Sequence, residues 1–123
     1  EYYFKLTDFF NEGKVADSFL LFDEIMSKGF DGGNFLSGLG RHFRDLLVAR
    51  EPVTVQLLEV SASIRERYLR QAQSLTPDFI YDALKIVEQC EMEYRARVEK
   101  RLCVEIMLIR LCQINELKKK ALA

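Results

Sequence analysis

From Leu102 to Ile114 the sequence reads LCVEIMLIRLCQI, and only Glu105, Arg110 and Gln113 interrupt its apolar residues. A surface helix needs one apolar stripe, whereas this stretch carries apolar residues on nearly every side. On a wheel advancing about 100° per residue, Cys103, Val104, Met107, Leu108, Leu111, Cys112 and Ile114 fill one broad, purely apolar arc. Leu102, Ile106 and Ile109 fall on the opposite side, among Glu105, Arg110 and Gln113. The first arc reads as a face toward the chain's own core. The second reads as an apolar strip with a polar rim, the build of many protein interfaces. A plainer reading stays open: a central core helix whose three polar residues are satisfied. A membrane span is excluded, because the run carries two charges and is short of the roughly 20 residues a bilayer needs.

A chain of 123 residues bounds the answer to one ordinary domain, residues 1–123. At this size roughly two-thirds of the unfolded surface is buried on folding, enough for a core without staples. With 49% hydrophobic and 30% charged residues, the chain is a globular domain and not a disordered tail. A formal net charge of −1 gives no global field toward nucleic acid or an anionic membrane. The cysteines are Cys90, Cys103 and Cys112. Cys103 and Cys112 share a predicted helix, about 13 Å apart along its axis, too far for a bridge. Their apolar settings predict buried free thiols of a reducing compartment. Glu1 is not a start methionine and no leader pattern opens the chain, so the expectation is a piece of a longer protein.

Sustained period-2 alternation is absent and helical spacing is present almost everywhere, so the fold class is all-α, a bundle of about six to seven helices with a long, mostly buried C-terminal helix. The first helix is predicted near Tyr2 to Asn11, with Tyr3, Leu6 and Phe10 on one side and Gly13 ending it. The second runs from about Lys14 to Lys28, with Val15, Phe19, Phe22 and Met26 as its stripe and Gly29 as its stop. Asp31-Gly32-Gly33 opens a third, which presents Phe35, Leu39, Phe43 and Leu46 and finishes before Pro52. A short helix is predicted over Val53 to Leu58. Ser61 or Ser63 caps the next, which continues to about Ser74; Ser63 with Glu66 has capping-box spacing. Thr76-Pro77 opens another as N-cap and first helical residue, with Phe79, Ala83, Val87 and Cys90 inward. The last helix ends near Lys118, and Lys118 to Lys120 are predicted to fray.

Catalytic chemistry finds little support. Asp31-Gly32-Gly33 lacks the lysine and hydroxyl of a phosphate loop. His42 is the only histidine, so a His-based metal cluster cannot form. A His42–cysteine dyad is disfavoured because the cysteines sit in apolar stripes that resist a thiolate. Catalytic, cofactor-binding and metal residues are therefore read as none. The densest basic cluster is Arg95 to Arg101. It is a solvated connection or, as the alternative function, the contact surface of a helical nucleic-acid-binding domain. Tyr94 alone makes a poor stacking platform for single strands. A further alternative is a small-molecule-binding or enzymatic bundle with a pocket near His42.

The order YYFKLTDFFNEGKVADSFLLFDEIMSKGFDGGNFLSGLGRHFRDLLVAR, followed by EKRLCVEIMLIRLCQI, resembles the third domain of the gamma/tau subunit of bacterial DNA polymerase III over essentially the whole chain. Its more specific parts are Gly29-Phe30-Asp31 leading to His42-Phe43-Arg44-Asp45-Leu46-Leu47, and Arg101 with Val104-Glu105 and Leu108-Ile109-Arg110-Leu111. Many relatives enter the last helix through Asn-Pro-Arg; here the stretch is Val98-Glu99-Lys100-Arg101, so the same helix start is not implied. The resemblance implies a fragment of a longer AAA+ clamp-loader subunit, in a bacterial cytoplasm. It implies a collar that holds ATPase modules in a ring while they load a sliding clamp on primed DNA. ATP, magnesium and zinc would belong to N-terminal domains outside this fragment, which itself would take no cofactor. Partners would be other clamp-loader subunits, namely self copies, delta and delta-prime, with self-association expected and no direct DNA or membrane binding. The expected interface is Leu102, Ile106 and Ile109 as anchors, with Glu105, Arg110 and Gln113 around them.

Overall fold

Three short polar side chains start helices where the sequence places them. In the computed structural model, which describes residues 1–122, the Asp31 carboxylate accepts from the Asn34 amide at 2.9 Å. The Ser61 and Thr76 hydroxyls accept from Ile64 and Phe79 at 3.3 and 3.0 Å. Each cap satisfies one of the amides a helix start leaves without a partner. The elements are α1 (Tyr2–Glu12), α2 (Val15–Ser27), α3 (Gly32–Arg50), a 3-10 turn (Val55–Leu57), α4 (Ala62–Gln73), α5 (Pro77–Tyr94) and α6 (Lys100–Leu122). No strand occurs among the described residues. The all-α reading and the bundle of six to seven helices hold.

Ser61, not Ser63, is the cap of α4. Ser61 has the extended backbone an N-cap needs (φ −63°, ψ 162°), whereas Ser63 already lies inside the helix. The expected Ser63–Glu66 box therefore does not form. The short helix expected over Val53 to Leu58 shrinks to one 3-10 turn. Pro52 lacks a backbone donor, and Val53, Thr54 and Val55 are β-branched, so a regular turn of α-helix is disfavoured. The Thr54 hydroxyl instead donates to the Val48 carbonyl at 2.8 Å, closing the end of α3.

The core forms where α3 packs on α4 and α5, and where α6 packs on α5, α1 and α2. Phe10, Phe43 and Phe79 meet there with Leu36, Leu39, Leu46, Ile80, Met107, Leu108 and Leu111, all buried. The inward residues expected on α3 and α5 are buried as read, and Leu36, His42, Asp45, Ala49 and Ile80 join them. Two faces are rotated from expectation. On α1 Phe4, Leu6, Thr7 and Phe10 face inward, and Tyr3 is only half-buried. On α2 Phe22 is buried with Ser18, Leu21 and Ile25, while Val15, Phe19 and Met26 sit half-buried at the flank. The helix is apolar around most of its circumference, so its own periodicity leaves the inward arc open. Contact with α1 and α6 selects it.

Helix α6 runs about 34 Å, at 1.5 Å for each of its 23 residues. Its buried residues are the predicted arc: Cys103, Val104, Met107, Leu108, Leu111, Cys112 and Ile114. Its last turns do not fray as expected. They remain helical to Leu122, and the Lys118 ammonium lies 3.1 Å from Asp82 and 3.9 Å from Asp78, tying the helix end to α5.

Candidate functional site

His42 sits on the inward face of α3 and is 2% exposed. Its Nε2 lies 2.8 Å from Gln71 Oε1. The rings of Tyr3, Phe4, Phe43 and Tyr68 surround it, the nearest with its centroid 4.7 Å away. Burial pushes its pKa down from 6.5 to about 4, against the opposing pull of the Gln71 bond. His42 is thus a neutral core residue. No cysteine serves as its partner: Cys90 faces Cys103 at 3.7 Å and Cys112 faces the Ser18 hydroxyl at 3.8 Å. All three thiols are free and buried. Burial raises the Cys90 thiol to about 12, with the Cys103 contact adding to it, and burial raises the Cys112 thiol too. Neither is an activated nucleophile. Among the described residues no group of three or more His, Cys, Asp or Glu is placed to hold a metal ion.

The basic cluster is largely engaged within the molecule. Arg97 lies 3.5 Å from Glu93, and Lys100 donates to the carbonyls of Arg95 and Arg97 and lies over the Tyr94 ring. Arg101 binds Asp23 on α2 at 2.9 Å and Glu105 at 3.0 Å, with its guanidinium over Phe22. Arg97 and Lys100 brace the α5–α6 connection, Arg101 ties α6 to α2, and of this cluster only Arg95 stands out into solvent without such a contact.

The strip predicted on the far side of α6 lies on the outer surface. Leu102 and Ile106 are 43% and 40% exposed, and Ile109 and Glu105 are half-buried. Arg110 and Gln113 are exposed. The structure brings all six onto one continuous face, because each lies three or four residues from another of them along the helix. The rim is held on both sides. Glu105 is fixed by Arg101, and Arg110 donates to Gln89 of α5 at 3.1 Å. A rim ordered in advance loses less side-chain freedom when a partner arrives.

Two neighbours of this strip were not read from the sequence. Leu117, 59% exposed, extends it by one turn. Ile86 of α5 lines, with Gln113, Ile114, Leu117 and Ala121, a groove of about 400 Å³ between α5 and α6. The four-residue step from Gln113 to Leu117 was the available signal for the first. Nothing local in α5 marks Ile86, which reaches the groove only through the packing of α5 on α6.

No helix among the described residues is long and apolar enough to cross a membrane. The family model described as DNA polymerase III subunits gamma and tau domain III matches residues 1–123, the whole chain. No curated protein and no solved structure matches it.

Proposed function

The chain belongs to the family of domain III of DNA polymerase III subunits gamma and tau, and from that membership we propose that it is an oligomerisation domain, a collar that joins clamp-loader subunits side by side through the outer face of α6. The observation that carries this reading is the exposure of Leu102 and Ile106 in the middle of the longest helix, between two pre-formed polar rims. An apolar strip left in water is unfavourable by roughly 25 cal/mol per Å². A partner helix would cover Leu102, Ile106 and Ile109 and leave Glu105, Arg110 and Gln113 at the edge, where rim residues belong. Such a contact need not be rebuilt while attached ATPase modules change shape, which suits a static scaffold.

In this reading the partners are copies of the same domain and the related delta and delta-prime subunits, in a bacterial cytoplasm. ATP, magnesium and zinc belong to AAA+ domains of the parent subunit, and this domain does no chemistry itself. The loading of a sliding clamp on primed DNA is then an activity of the whole ring.

Sedimentation of the chain across concentration, beside Ile106→Glu, tests the proposal. Association costs several kcal/mol or more in lost freedom, so micromolar self-affinity is expected for the isolated domain. A charge at the centre of the strip, beside Glu105, should abolish it while helix content by circular dichroism stays nearly unchanged. A folded variant that associates as before places the interface elsewhere. An unfolded variant makes Ile106 a core residue and removes the reading.

A further inference from the structure

We propose that Cys90 and Cys103 form an oxidisable dithiol which, converted by a hydroperoxide to a disulfide, pins the head of α6 to the second half of α5. The two Sγ atoms touch at 3.7 Å, across the connection that joins the two helices. A bridge requires them to approach by about 1.7 Å, to the usual 2.05 Å. Their chain separation of 13 residues is local, so the thiols meet without any change of fold. A small cavity of about 50 Å³ lies beside them, lined by Cys90, Cys103, Ile106, Met107, Arg97 and Arg110. That is room for a molecule little larger than water.

The chemistry balances. The Cys90 thiol donates to the Cys103 backbone carbonyl at 3.7 Å, which holds its proton in place. Cys103 is therefore the first to react. Its sulfur, as thiolate, attacks one peroxide oxygen; the O–O bond breaks, and hydroxide leaves and takes up the proton as water. The product is a sulfenic acid at Cys103. The Cys90 sulfur then attacks the Cys103 sulfur, the S–O bond breaks, and the Cys90 proton leaves with the oxygen as a second water. Two thiols and one hydrogen peroxide give one disulfide and two waters. The sulfurs lose two electrons and the peroxide gains two. Burial of Cys90 makes the pair slow, so the bond forms under sustained oxidant and not in ordinary turnover.

The bond would fix the head of the outer strip, because Leu102 adjoins Cys103 and Ile106 lines the same cavity. Cys112 is an internal control, since its sulfur faces Ser18 and lies about 13 Å along α6 from Cys103. The test treats the folded chain with hydrogen peroxide, blocks free thiols, digests without reduction and weighs the peptides. The expected product is one peptide pair joined through Cys90 and Cys103, lighter by two hydrogens and released by dithiothreitol, with Cys112 recovered free. Closing a loop of this size should raise the thermal midpoint by roughly 5–10 °C. Cys112→Ser should keep that rise and Cys103→Ser should lose it. Recovery of Cys90 and Cys103 as unlinked or over-oxidised residues from folded chain overturns the proposal, as does linkage only between chains. The peptide map of the unsubstituted chain decides the matter even where a serine variant fails to fold.

Discussion

His42 Nε2 and Gln71 Oε1 meet at 2.8 Å, a buried bond between α3 and α4 that orients both side chains. The Gln71 amide nitrogen donates to the Phe4 carbonyl at 2.8 Å and to Asp8 at 2.9 Å. Its oxygen is then the group facing His42, so the imidazole donates from Nε2, and burial, against the pull of this bond, keeps the ring neutral. One glutamine thereby links α4 to α3 and to α1.

Acid should destabilise the fold through His42. Its folded pKa is about 4, against an ordinary value of 6.5, and burial is the main cause. Asp45 pulls the value up, while the N-terminal ammonium and Arg67 push it down. The unfolded chain takes a proton near 6.5 that the folded chain refuses. The contribution is therefore complete above about pH 6.5 and is lost as pH falls toward about 4. The loss is on the order of 2–3 kcal/mol across that window. Urea unfolding at a series of pH values measures it, and His42→Gln should flatten the slope there. An unchanged slope in that variant assigns the loss to carboxylates instead.

Gly38→Ala should destabilise despite favouring helix. A methyl group at Gly38 would collide with the Tyr3 hydroxyl and ring. Tyr3 would have to move, giving up its 3.1 Å bond to the Phe35 carbonyl and its packing on that ring. Overpacking of this kind costs about 1–3 kcal/mol, against a helix gain of about 1 kcal/mol. A net loss of about 1 kcal/mol is expected by chemical denaturation. In a Tyr3→Ala background the same change should be neutral or stabilising, and a persisting loss there would reject the collision account.

Ile106 and Met107 are adjacent and face opposite ways, 40% and 2% exposed. Met107→Ala opens a cavity against Leu108 and Leu111 and should cost about 2–5 kcal/mol. Ile106→Ala should cost under about 1 kcal/mol in the monomer yet weaken self-association. Denaturation at low concentration separates the two; equal losses would place both residues in the core.

DNA affinity should be low. Arg97, Lys100 and Arg101 already have internal partners, and the net charge is −1. Few phosphates are left to neutralise. Fluorescence anisotropy with primed duplex in about 150 mM salt should give a Kd weaker than about 1 μM, and a submicromolar value would revive the nucleic-acid reading.

Helix positions, three of the caps and the inward faces of α3, α5 and α6 follow from local order in the chain. A 3.6-residue rhythm and a polar residue before it act within a few positions, so they can be read without knowing the fold. The family, too, is legible in the order of short motifs. The orientation of α2 is different. Its apolar residues surround the helix, and only α1 and α6 decide that Leu21 and Ile25 go inward while Leu20 faces water. The same holds for contacts that join distant positions: His42 with Gln71, Tyr3 against Gly38, and Cys112 beside Ser18, 94 residues apart. Cys90 and Cys103 lie near each other in sequence, but their contact depends on the angle at which α6 returns along α5. The outer strip divides the same way. Periodicity separates Leu102, Ile106 and Ile109 from the buried arc. Their exposure is decided by the packing of α1, α2 and α5, which cover α6 on one side and leave the other in water.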